Sequence, residues 1–391
     1  MQASTARGAT EHHPGVLRSN GPPLNLGGAG SSTWGMEKLH RLGAALVVVA
    51  IVTSCGGGPR PTVSANSSPI AAPTRAVSEP PLASASASGS APASPTDSRD
   101  TVDGAWAQLA PLPQPRSEIA AAVLDGRLYV AGGFGAGRGA ILDDLLAYEP
   151  AADTWTTLAP LPEARHHPAL TALDGRLYLT GGGVEGFAAR ANTWAYDPVA
   201  NAWTALAPMP APRLAHAAVA VDGRLYVVGG VIPGLTLRAP TFAYDPTTGE
   251  WQADLAELPT YREHLAAVAV DGAVIAIGGR AAQNVDAVER YDSVSDGWSA
   301  LEPLPTARSG LTAAIVGGRI HVVGGEGIDP PQVFREHEVL DIAAGRWLIG
   351  PALDRGRHGL ASGAIDGHLY VVGGGPNPGL SGSDRLDVLS P

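Results

Sequence analysis

The chain has one cysteine, Cys55, in 391 residues. A lone thiol forms no intrachain disulfide and makes a poor metal site, so neither cross-links nor Cys-based zinc centres hold this protein together. Charge is scarce too. Charged residues are 16% of the chain, lysine is nearly absent, and the net charge is −11 at pH 7. Phosphate backbones are gripped by clustered Lys and Arg, so this balance excludes a general nucleic-acid binder. The apolar run at 42–52 is too short to cross about 30 Å of hydrocarbon comfortably as a permanent helix. What is abundant is turn-forming: 50 Gly and 34 Pro stand beside 45% apolar residues. Such a chain buries a core but turns often, which points to many short strands.

The N-terminal quarter reads as an address and a stalk. Met36-Glu-Lys-Leu-His-Arg precedes the apolar run, the layout of an export signal. Val52-Thr53-Ser54-Cys55 resembles the lipobox of bacterial lipoprotein signals. The resemblance implies an acylated Cys55 as first mature residue, anchored to the outer face of a bacterial membrane, since several acyl chains hold stably where one does not. Residues 1–35 make an implausibly long polar leader, so translation is expected to start at Met36, with 36–54 as the signal peptide. Residues 55–101 are Ser-, Ala- and Pro-rich without apolar period, and cannot repay the entropy of ordering. As a flexible tether they would span roughly 35–40 Å root-mean-square.

Beyond the tether the chain repeats. "DGRLYV" at 125–130 returns as "DGRLYL" at 174–179 and "DGRLYV" at 222–227, with looser copies at 271–276, 317–322 and 366–371. Each runs into a Gly pair beginning at Gly132, Gly181, Gly229, Gly278, Gly324 or Gly373. Sixteen residues upstream of each pair stands an arginine: Arg116, Arg165, Arg213, Arg262, Arg308 and Arg357. Apolar runs joined by an Asp-Gly turn predict buried hairpin strands, and the Gly pair lets the backbone pass where a Cβ would collide. Tyr148, Tyr196, Tyr244 and Tyr291 each precede a tryptophan by seven residues, and Leu340 precedes Trp347 by the same step. Four strands per copy, each copy burying its faces on its neighbours, describe a propeller blade.

The Gly pair followed by Tyr and Trp, at a period near 50, resembles the Kelch repeat over residues 102–391. The resemblance implies an all-β, six-bladed Kelch propeller. Two departures stand out: Leu340 in a Tyr position, and Gly317-Gly318 in place of Asp-Gly. The sixth copy ends without a tryptophan strand, while Trp106 stands alone at the front. The N-terminal strand is therefore expected to complete the last blade and remove the exposed edges.

Function is expected at one channel mouth, where loops vary while strands stay constant. The resemblance puts the loop after the Gly pair and the link into the next arginine on one face. The six arginines then either form a positive funnel for an acidic peptide, a sugar acid or another anion, or pin the interblade turns. One to three residues past them lie Glu118, His166, His167, His216, Glu263, His264 and His358, positioned for proton transfer or for plain strand packing. The histidines come from different blades and show no ligand spacing, so neither metal nor cofactor is expected. Phe134, Phe187 and Phe334 fall in the variable loops, as stacking surfaces or local plugs.

These residues support a monomeric propeller that binds a protein or glycan. The alternative is a sugar-active enzyme. Galactose-oxidase-like copper enzymes need a cysteine cross-linked to tyrosine, which this propeller lacks. Sialic acid mutarotase-like proteins are exported six-bladed Kelch propellers using a Glu and an Arg, for which Arg262 with Glu257 or Glu263 are the candidates.

Overall fold

The structure, a computed structural model, describes residues 100–135, 139–232, 237–238 and 240–390. The expected start at Met36, the signal peptide, Cys55 and nearly all of the tether lie outside the described residues.

Among the described residues the chain forms six four-stranded antiparallel sheets. Blade 1 runs outward through Ala120–Leu124, Arg127–Ala131, Leu145–Glu149 and Thr154–Thr157. Blades 2 to 5 repeat this meander, beginning at Ala169, Ala217, Ala266 and Thr312. The first two strands of each blade meet at a two-residue turn with both residues at positive φ, as Asp125-Gly126 at 50° and 73°. That twist matches the strands. Gly317-Gly318 takes the same conformation, at 57° and 74°, so this departure from Asp-Gly costs the fold nothing in geometry.

The core lies between blades. Leu145 and Tyr129 of blade 1 pack with Leu177, Leu179 and Tyr196 of blade 2. Blade 4 meets blade 5 through Ile275, Ile277, Ile320 and Leu340. Leu340 pairs in register with Trp347, as Tyr148 does with Trp155, and is buried, so an aliphatic side chain fills the Tyr slot.

Blade 6 takes Ala361–Ile365, His368–Val372 and Leu386–Ser390 from the C-terminus, and its outer strand, Ala105–Gln108, from the front of the array. Trp106 sits opposite Leu389. A ladder of indole bonds runs round the rim: Trp155 Nε1 donates to the Ala110 carbonyl at 2.9 Å, and Trp203, Trp251, Trp298 and Trp347 each do the same to the preceding blade. Trp106, donating to Pro351 at 2.7 Å, is the sixth member.

Candidate functional site

Two rings of residues surround the channel at the face carrying the Gly-pair loops. The first is the six arginines. All are buried to 1% exposure or less. Each guanidinium donates to the carbonyl of the Gly sixteen residues on, as Arg262 Nε to Gly278 at 2.6 Å and Arg308 Nε to Gly324 at 2.7 Å. Five also meet a carboxylate: Asp144, Glu163, Glu289, Glu338 or Asp387. Arg213 instead lies over the Phe242 ring, 3.9 Å from its centroid, and donates to the Pro240 carbonyl. Each arginine's own carbonyl accepts from the second Gly of the preceding blade, as Gly133 to Arg165 at 2.7 Å. A Cβ on Gly132 would run into that carbonyl. The arginines therefore pin interblade turns. The positive funnel that was one of the two expectations is not formed by their guanidiniums, because all six are sealed from the channel by burial and turned to local carbonyls and carboxylates.

The second ring lies two residues further along each copy: Glu118, His167, Ala215, His264, Gly310 and Gly359. All six adopt left-handed backbone, with φ between 50° and 60°. Each amide donates to the carbonyl of the preceding member at 2.7–3.1 Å, and Glu118 to Gly359 closes the circle. Glycine adopts this conformation freely, whereas other residues are strained by about 1–2 kcal/mol each. Blades 5 and 6 use glycine. Blades 1, 2 and 4 instead place Glu, His and His there, and strained positions of this kind gather at functional sites.

Those three side chains converge at the end of a channel of about 170 Å³ whose wall includes inner-strand alanines from all six blades. Glu118 Oε2 is 3.1 Å from His167 Nε2 and 3.8 Å from His264 Nε2. Glu118 Oε1 is 3.3 Å from His358 Nδ1, which also faces Glu326 at 3.5 Å. Arg280 ties the far side together, bonding Glu263 at 2.8 Å, Glu326 at 2.6 Å and His264 Nε2 at 3.2 Å. Behind His167, His166 Nδ1 lies 2.6 Å from His167 Nδ1, and His166 Nε2 meets the Val184 carbonyl at 3.1 Å. Phe134 stacks on His166 at 4.4 Å, and half-exposed Phe187 edges against it at 4.9 Å.

The electrostatics follow from this crowding. Burial works to raise the Glu118 carboxyl, but His167, His358 and His264 hold it well below the usual carboxylate range. Burial opposes a charge on His358, yet Glu118 and Glu326 push it up to about 9. Burial drives His166 down to about 4. His167 is also lowered, burial outweighing Glu118. The mouth thus combines three carboxylates with two cations, Arg280 and His358, and is not a simple anion trap.

Of the residues singled out in the sequence, Glu118, His167, His264, His358 and Glu263 meet here. Arg262 does not reach the mouth, being buried against Glu289. Glu257 binds Arg238 and the Tyr261 hydroxyl at the surface. His216 is buried against Thr180 at 3.0 Å, and Phe334 is buried. Among the described residues no side-chain hydrogen bond or ion pair joins Arg262 to Glu257 or Glu263, and of the three only Glu263 joins the cluster. Sequence reasoning missed Arg280 and Glu326. Both directly follow a Gly pair, and each bridges back to the residue after its blade's arginine, Glu263 or Ser309.

Family comparison agrees with this architecture. A model described as the KLHDC2/KLHL20/DRC7 Kelch-repeats domain matches residues 98–230, and the Kelch motif matches 212–253 and 261–305. No curated protein sequence gives a significant match. Among solved structures, one titled "Structure of YjhT" is similar at a TM-score of 0.61 and 20% identity, covering 72% of this chain and 96% of that one. At that identity the likeness speaks for fold alone. The chain is an all-β, six-bladed propeller assembled from Kelch motifs.

Proposed function

We propose that this protein is a binding module whose ligand, a glycan, seats over the channel mouth against Glu118, His167 and His264. The observation that carries the reading is the placing of these three side chains on strained left-handed positions where glycine serves elsewhere in the same ring. Carboxylates and imidazoles accept and donate to hydroxyls, and half-exposed Phe187 offers a face for a sugar ring. A protein ligand would need more of the surrounding loop surface than this narrow polar mouth supplies. Glycan-array screening of the full chain followed by calorimetry tests the proposal. Binding should vanish in Glu118→Gln and weaken in Phe187→Ala. An array without hits, or binding indifferent to both changes, overturns it.

A second reading is favoured by the 3.1 Å contact between Glu118 and His167. A buried carboxylate–imidazole pair at a channel mouth suits proton transfer to and from a sugar hydroxyl, the chemistry of a mutarotase. Loss of catalysed anomer exchange, followed by NMR, in Glu118→Gln would support it. We further propose that Cys55 is acylated and tethers the propeller to the outer face of a membrane. Cys55→Ala should then move the protein from the membrane to the soluble fraction.

A further inference from the structure

We infer that Glu118, His167 and His264 form a binding site for a single divalent transition-metal ion, of which Zn(II) is the probe. The inference uses the same mouth as the proposed ligand site but does not depend on what that ligand is.

One ligand atom from each residue lies within 4.8 Å of the others, and the three side chains are only 6–11% exposed. The hydrogen-bond geometry makes the grouping unusual. Arg280 can only donate, so His264 Nε2, 3.2 Å from it, is an acceptor. Glu118 Oε2 faces His167 Nε2 at 3.1 Å and His264 Nε2 at 3.8 Å. His167 Nδ1 is taken up on the other side of the ring by His166 Nδ1, 2.6 Å away, which leaves Nε2 as the atom turned to Glu118. A divalent cation satisfies one carboxylate oxygen and two imidazole nitrogens placed this way together.

The geometry suits zinc in particular. Two imidazoles and a carboxylate, with a fourth position open, is an established catalytic zinc donor set. Tetrahedral bonds of about 2.0–2.2 Å put donor atoms roughly 3.3–3.5 Å apart. The contacts of 3.1 and 3.8 Å from Glu118 bracket that edge, and the remaining one, between the two imidazoles, is at most 4.8 Å and would close on binding. The outer contacts are those a metal site needs: His166 orients His167, and His358 holds the second oxygen of Glu118. All three ligand residues line the channel. Two cations oppose the ion: Arg280 must release His264, which its two carboxylate partners allow, and His358 lies against the other oxygen of Glu118.

The test is metal retention by the full chain, with no sugar present. After loading with Zn(II) and dialysis, elemental analysis should find about one equivalent, and Co(II) should give the intense visible bands of a low-coordinate site. Glu118→Gln and His264→Asn, the latter tolerant of left-handed backbone, should each retain under about 0.1 equivalent while circular dichroism stays unchanged. Arg280→Gln should bind Zn(II) more tightly, because it removes a cation beside the third ligand. Retention under about 0.1 equivalent by the unaltered chain overturns the inference. So does retention that ignores Glu118 and His264, which would put the ion elsewhere, as at His12-His13. Glycan binding measured in chelator remains a separate readout, so either proposal can fail alone.

Discussion

Two ring positions sit two residues apart in every blade, and they follow opposite rules. The arginines repeat six times without exception, and each finds local backbone acceptors. The residues two places on vary as Glu, His, Ala, His, Gly and Gly, although their backbone is the same at every position. The difference teaches how to read a repeat. Where geometry demands one side chain in each copy, the residue is structural. Where geometry is constant and the side chain changes, the scaffold is presenting chemistry.

The largest effect expected from breaking this contrast is at the arginines. Arg262→Met leaves Glu289 buried without its cation and should lower unfolding free energy by about 3–5 kcal/mol. Arg213 has no carboxylate partner, so Arg213→Met should cost less, about 1–3 kcal/mol. Urea denaturation of both variants settles the order, and a larger loss at Arg213 would defeat the pinning argument.

Acid probes the framework from another side. Burial drives His216 and His337 down to about 3 and His321 to about 4. The unfolded chain, titrating near 6.5, then binds more protons than the folded one between those values. Stability is therefore fully present above pH 6.5 and falls as the pH drops, by about 1.4 kcal/mol per unit for each such histidine. His321 and His337 lie 2.9 Å apart, and replacing both with Leu should flatten the slope measured between pH 7.5 and 5. An unchanged slope would mean that other groups govern acid sensitivity.

The smallest effect should come from the second ring. Ala215 carries the left-handed backbone with no polar group to offer, so Ala215→Gly relieves strain at no cost to the site. After the extra entropy of the unfolded glycine, a gain of about 0.5–1 kcal/mol should remain. Thermal denaturation checks it, and a loss would show that the ring resists glycine for a reason beyond strain.

Much of the fold is legible along the chain because its determinants are local. Asp125-Gly126 specifies its turn through its own dihedrals, and the Gly132–Gly133 pair marks a close backbone approach. Leu340 shows that the pattern tolerates one defect, since burial against Trp347 requires an apolar side chain and not a hydroxyl. The candidate site was half legible. Glu118, His167, His264 and His358 stand out as polar residues beside the arginines, but nothing in their order says that they meet. Arg280 and Glu326 stand directly after a Gly pair, but the same position holds Phe134, Gly183, Val231 and Gly375 in the other copies, so no repeated residue type marks it.

By itself the sequence determined the six-fold repeat, the hairpin turns and the apolar faces, all written within about fifty residues by dihedral preference and hydrophobic period. The tertiary structure alone decided that six cationic side chains are sealed from solvent while one glutamate and two histidines, from three blades, share a few ångströms at the channel mouth. The physical reason is ring closure. It brings residues far apart in the chain onto one circle of hydrogen bonds, whose diameter is set by the number of blades and not by any single one.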